Sequence, residues 1–165
     1  MKKILIVFVA LFIINFGCKK IDENNGGGIC ACSPTKYPDL TLVIKNAAGD
    51  DLLNSVVTGA YTKDQIQLFS KNASGVVKQI SFYLRPPFYY GNSKFKYNQI
   101  YSEEIVALSK VSGNTLYLKL GSAEPLELNL TVGNFKVEKL LIDKKEAAVD
   151  NATLSAYLTV FFLTL

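Results

Sequence analysis

The residue types best suited to recognition chemistry in this chain are aromatic, and they are crowded together. Residues 82–101 read FYLRPPFYYGNSKFKYNQIY and hold Phe82, Tyr83, Phe88, Tyr89, Tyr90, Phe95, Tyr97 and Tyr101. A tyrosine offers a flat apolar ring face and a hydroxyl, which suits it to stacking on a sugar or anchoring a protein partner. Pro86 and Pro87 stiffen the segment and lower the ordering cost of binding. Tyr83, Tyr89, Tyr90 and Tyr101 form the candidate ligand-binding set, with Tyr89 and Tyr90 beside Gly91 expected to be the most exposed. Phe82 and Phe95 are expected in the core. The competing reading assigns all these rings to packing and to covering a sheet edge.

Catalytic chemistry finds little support. The chain has no histidine, so the usual general base, triad partner and commonest metal ligand are missing together. Glu103–Glu104, or Glu124 with Glu127, would have to serve as a glycosidase pair, which needs two carboxylates at a set separation in a cleft. Adjacent surface glutamates are more often solvated. Asp50–Asp51 after Gly49 offers oxygen ligands for calcium, but the full D-x-[DN]-x-[DN]-G loop is not there, and a hairpin tip explains the same residues. No catalytic residue, metal site or cofactor is expected. Asn72, Asn129 and Asn151 open N-x-[ST] triplets, common by chance in a chain rich in Asn and Thr.

The cysteines carry more information. Met1-Lys2-Lys3 is a short basic start, and Ile4 to Phe16 is apolar apart from Asn15. That run is too short for a spanning helix, which takes roughly 20 apolar residues. It fits the basic and apolar regions of a secretory signal. Gly17 supplies a small residue before a cut, and Cys18 follows it. Cys30 and Cys32 form C-x-C, too few ligands for structural zinc and badly placed for a bond to each other. No function is expected of them.

The order of apolar run, Gly17 and Cys18 resembles the lipobox of bacterial lipoproteins, in the looser form of the Bacteroidota. The resemblance implies cleavage after residue 17 and a diacylglycerol on the Cys18 thiol. Lys19, Lys20, Asp22 and Glu23 are similar to the charged signal that sends such proteins to the cell surface. The run LVIKNAAGDDLL…YTKDQIQLF resembles small Bacteroidota lipoprotein domains of uncharacterised function, and implies fold and address only. The implied partner is an outer membrane held through the lipid. Two or more acyl chains give stable anchoring where one binds reversibly.

The remaining chain reads as tether and domain. Residues 18–36, with Asn24-Asn25 and Gly26 to Gly28, are too polar to bury area and suit a flexible tether. Residues 37–165 suffice for one domain. DLTLVIK predicts a strand over 39–46, closed by a turn at Ala48-Gly49-Asp50. IQLFSKNASGVVKQISFYL predicts two strands around an Asn72–Gly75 turn. Arg85-Pro86-Pro87 must leave the sheet, and KFKYNQI predicts one more strand. SEEIVALSK, residues 102–110, predicts one short helix with Ser102 as cap, a strand being the alternative. TLYLKL alternates, as does LELNLTVGNFKVEKLLI. Gly133-Asn134 there predicts a two-residue turn that places Val132 opposite Phe135, Leu130 opposite Val137 and Lys139 opposite Leu128. AYLTVFFLTL predicts a closing strand buried at its centre.

About eight strands, short turns and at most one helix predict an all-β antiparallel sandwich of immunoglobulin-like type, a barrel being the alternative. The formal charge of +4 includes Lys2 and Lys3, and Lys and Glu are spread along the chain rather than clustered, so no nucleic-acid footprint is expected. The expected role is a non-enzymatic binding or adhesion module for a glycan or protein. The alternative is a structural accessory subunit of an envelope complex.

Overall fold

The structure is a computed structural model that describes residues 37–90, 93–150 and 159–165. Cys18, the tether, and the Cys30 and Cys32 pair lie outside the described residues. In chain order the elements are β1 (Leu40–Lys45), β2 (Ile66–Lys71), β3 (Val77–Gln79), β4 (Tyr83–Arg85), β5 (Phe88–Tyr90), β6 (Ser93–Phe95) and β7 (Gln99–Ser102). They continue with α1 (Glu104–Ser109), β8 (Thr115–Leu120), β9 (Leu126–Val132), β10 (Val137–Ile142), β11 (Lys145–Glu146), β12 (Ala148–Val149) and β13 (Val160–Thr164). Among the described residues no helix is long and apolar enough to cross a membrane.

The fold is an all-β sandwich. One sheet runs β12-β13-β1-β7-β4, the other β11-β10-β9-β8-β2-β3, and β5-β6 form a separate hairpin. Pairing is antiparallel except between β1 and β13, where Thr41 to Lys45 run beside Val160 to Thr164 in parallel. There are more strands than the sequence predicts, because several are short. KFKYNQI is not one strand: it is divided between β6 and β7, with Lys96–Asn98 between them.

Period-two alternation explains the core. Leu40, Leu42 and Ile44 of β1, Ile100 of β7 and Phe161 of β13 point from the first sheet into the interior. Leu68, Leu116, Leu118, Leu128, Leu140 and Ile142 meet them from the second. Each fully buried side chain of this size contributes about 1.5–3 kcal/mol. The alternate residues of the first sheet do not simply face water. Val43 and Val160 are fully buried against Phe95, with Phe88, Tyr97 and Phe162 packed around them. The β5-β6 hairpin is therefore a lid on the outer side of the first sheet. The central strands β1 and β13 are apolar on both faces for this reason, and Val160 and Phe161 are both buried as the sequence predicts.

Two turns position later elements. The Asn72 side-chain oxygen accepts the Val76 N–H at 2.8 Å, and Gly75 sits at φ +81°, a conformation that costs glycine little. Asp51 is buried and accepts the Leu53 N–H at 2.9 Å. Its other oxygen takes the Asn98 backbone N–H at 2.7 Å and the Asn98 amide at 2.8 Å. It is a clamp between the turn after β1 and the approach to β7, and Asp50 is bonded to Asn46 at 2.9 Å. Among the described residues no group of acidic or thiol side chains is arranged to hold a metal ion.

The expected β9-β10 register is corrected. Val132 pairs with Val137, Leu130 with Leu140, Leu128 with Ile142 and Lys139 with Thr131, with a bulge between Val137 and Lys139. The turn is longer than two residues, closed by the Gly133 N–H on the Lys136 carbonyl at 2.9 Å. The bulge sends Glu138 and Lys139 both outward, so Phe135 moves to the exposed tip instead of facing Val132.

Candidate functional site

The chain leaves one sheet and enters the other through Ile80–Phe82, so β3 and β4 form neighbouring edges on one side of the sandwich. Ile80 is buried and plugs the core at that crossing. β4 then pairs with β7 so that Tyr83 lies opposite Tyr101, Leu84 opposite Ile100 and Arg85 opposite Gln99. Leu84 and Ile100 face the core. Tyr83, Arg85 and Tyr101 must therefore share the outer face.

β7 passes directly into α1, and Ser102 holds that junction. Its hydroxyl donates to the Ser81 carbonyl at 2.7 Å and accepts the Ile105 N–H at 3.3 Å. The expected capping role is thus met, with a second bond to the β3-β4 crossing. Ile105 and Val106 bury the apolar side of the helix. Glu103 and Glu104 are left at its start, facing the tyrosines.

Both carboxylates are engaged. Tyr101 donates its hydroxyl to Glu103 Oε1 at 2.6 Å. Glu104 Oε2 accepts the Ser81 N–H at 2.8 Å, and Glu104 Oε1 pairs with Lys78 Nζ at 2.9 Å. The Ser81 N–H first, and the Lys78 ammonium second, hold the Glu104 carboxyl below the ordinary glutamate value. Burial of Tyr101, reinforced by its bond to Glu103, pushes that phenol well above the ordinary tyrosine value, with Arg85 acting the other way. The Arg85 guanidinium lies 4.0 Å from the Tyr101 ring centre, a cation–π contact.

Ser81, Tyr83, Tyr101, Glu103 and Glu104 enclose an open cleft of about 340 Å³. Tyr83 is 67% exposed at its rim, whereas Tyr101 is half-buried. A flat free ring beside carboxylate acceptors can stack a ligand and accept its hydroxyl protons. Among the described residues Glu103 forms no ion pair, whereas Glu104 is paired with Lys78 and Arg85 lies over the Tyr101 ring.

The four candidate tyrosines do not all converge. Tyr83 and Tyr101 are brought together. Tyr89 is 71% exposed on the β5-β6 hairpin, opposite Lys94, whose Nζ is 5.8 Å from the ring centre. It does not line the cleft. Tyr90 closes β5, and its side chain lies outside the described residues. Phe95 is in the satellite core, as expected, while Phe82 is half-buried at the edge of the main one. Arg85 and Ser102 were not singled out as site residues by their sequence, although Arg85 stands two residues from Tyr83, the spacing that puts strand residues on one face. The glutamate pairs do not assemble as facing carboxylates: Glu103 and Glu104 are neighbours at one helix start, and Glu127 is bonded to Asn129 at 2.9 Å on the far sheet.

A cleft of about 400 Å³ on the opposite edge of the sandwich is lined by Leu126, Ile142, Ala147, Phe162 and Leu163 among others, and none of the candidate tyrosines reaches it. Comparison with family models, curated proteins and solved structures finds no match to this chain.

Proposed function

We propose that this chain is a non-enzymatic binding module of the outer membrane, anchored by lipid on Cys18, that takes a neutral glycan at the Tyr83–Tyr101 face. The observation that carries the reading is the exposed Tyr83 ring paired across strands with Tyr101, in a cleft walled by Glu103 and Glu104. The ring suits the apolar face of a sugar, and the carboxylates suit its hydroxyls. The Glu103 carboxylate disfavours uronic or phosphorylated groups placed beside it. The anchor is supported by the apolar run ending in Gly17-Cys18.

Two experiments test it. Glycan-array binding by the full chain in detergent should be positive for neutral structures and weakened in Tyr83→Ala. An array without hits, or hits unchanged by the substitution, would overturn the binding reading. Cys18→Ser should move the protein out of the membrane fraction and remove incorporation of a fatty-acid label. Unchanged fractionation would overturn the anchor.

A second reading, docking onto an envelope protein, is favoured by the exposed Tyr89 and by Arg85, residue types enriched where interfaces concentrate their energy. Co-purification with an envelope complex that is lost in Tyr89→Ala would select it.

A further inference from the structure

A second cleft adjoins the first. It measures about 390 Å³ and is lined by Tyr37, Pro38, Val106, Ala107 and Lys110 together with the same Glu103 and Glu104. The two clefts lie on either side of one carboxylate step. Each carries one exposed tyrosine at its rim, Tyr83 at 67% and Tyr37 at 69%. Each is near the lower end of the roughly 300–1,000 Å³ range of small-ligand sites, so each alone suits a single compact unit.

Tyr37 is well placed to act as a fixed ring. Pro38 confines the backbone of the residue before it to extended conformations. Asp39 and Leu40 follow at once and are buried, with the Asp39 carboxylate accepting the Thr41 hydroxyl at 3.0 Å. Only Pro38 separates Tyr37 from this fixed backbone. The floor beneath it is apolar and small, from Pro38 and the exposed methyl of Ala107 on α1. At the far wall Lys110 supplies a donor, complementing the acceptors of Glu103 and Glu104.

We propose that Tyr37 is the second stacking ring of one extended site, so that the ligand is a neutral oligosaccharide chain and not a single sugar. Consecutive sugar units occupy the Tyr83 and Tyr37 clefts, with hydroxyls of the connecting region directed at Glu103 and Glu104. The inference rests on the glycan reading of the Tyr83 cleft and adds its chain-length requirement.

The test is calorimetric titration of the full chain in detergent with gluco-, manno- and xylo-oligosaccharides of one to about six units. In the wild type, affinity for the recognised series should rise about tenfold or more between one unit and the longest chain, the worth of one further aromatic contact. Tyr37→Ala should remove that rise, and Tyr37→Phe should restore it. Tyr83→Ala should weaken binding about tenfold or more at every length. A length dependence that persists in Tyr37→Ala would overturn the second subsite alone. Absence of binding in all three series, or indifference to Tyr83→Ala, would overturn the glycan reading beneath it. Both tyrosines are exposed, so loss of fold does not confound the result, and unchanged circular dichroism verifies this.

Discussion

The Arg85 guanidinium covers the Tyr101 ring at 4.0 Å from its centre, and the Tyr101 hydroxyl is donated to Glu103 at 2.6 Å. Ring face and hydroxyl are thus both committed, so Tyr101 serves to orient Glu103, and Tyr83 is left to stack. Tyr83→Ala is expected to weaken binding of a recognised glycan about tenfold or more. Tyr101→Phe keeps the ring and its Arg85 contact, releases Glu103 and should weaken binding by a smaller factor. Titration calorimetry on both variants checks the order. A larger loss in Tyr101→Phe than in Tyr83→Ala would reverse the assignment of roles.

The Tyr101 phenol titrates above its ordinary value of 10.0, from burial first and the Glu103 bond second. A proton held more tightly in the folded state stabilises the fold below the unfolded value, and the contribution is lost as pH rises past it. Urea unfolding at about pH 8 and about pH 11 should show a larger loss of stability in the wild type than in Tyr101→Phe. Equal losses in the two proteins would show that this phenol does not couple to folding.

Glu104 gives the opposite pH dependence. The Ser81 N–H and Lys78 lower its value below 4.5, so its contribution is present above 4.5 and disappears as pH falls through the folded value. Glu103 also faces this region, its Oε1 bonded to Tyr101. The Glu104 side chain is 32% exposed and Lys78 59%, so solvent screens the pair and the effect will be modest. The acid limb of a stability profile should be shallower in Glu104→Gln than in the wild type. Lys78→Met should reproduce only part of the change, because the Ser81 bond remains.

The aromatic segment divides into packing and exposed members, and stability separates them. Phe95, the last residue of β6 in the hairpin, is 6% exposed, its ring 5.6 Å from Phe88 and 5.7 Å from Tyr97. Phe95→Ala should cost about 3–5 kcal/mol. Tyr89→Ala, outside the packed cluster, should stay within about 0.5 kcal/mol of the wild type. Chemical denaturation of the two variants measures both. A comparable loss in each would mean that the hairpin does not cover Val43 and Val160 as the structure has it.

Much of the fold was legible because alternation reports burial directly. Thr115–Leu120 and Leu40–Lys45 were recoverable from their patterns, and Ser102 with two glutamates marked the helix. The bulge at β10 was not legible, since Val137 to Ile142 fits two registers and only the longer turn selects one. The Asp143-Lys144 turn was missed as well: both residues have positive φ, at 47° and 66°, where Gly or Asn would have announced it. For the site, composition marked the tyrosines, but Arg85, expected to leave the sheet with Pro86 and Pro87, is the last residue of β4 and pairs with Gln99. Pairing across strands, which brings in Tyr101, depends on a chain crossing between sheets that no local pattern encodes. Tyr37 stood outside the aromatic run and came to the site only through the packing of α1.

The last strand tests the architecture as a whole. β13 lies between β1 and β12, pairs in parallel with β1 from Thr41 to Lys45, and contributes Val160 and Phe161 at zero exposure. It belongs to both hydrophobic clusters, Phe161 to the main core and Val160 to the one under the hairpin. Its removal would expose the inner row of β1 and leave the N–H and C=O groups along one side of that strand without partners, a cost well beyond the typical stability of about 5–15 kcal/mol for a domain. Deletion of residues 157–165 should therefore abolish the cooperative thermal transition, whereas Leu165→Ala, at an exposed terminal position, should leave it in place. Calorimetry decides: a sharp transition surviving the deletion would remove β13 from the centre of its sheet, and with it the rigid β1-β7-β4 order that sets Tyr83 beside Tyr101.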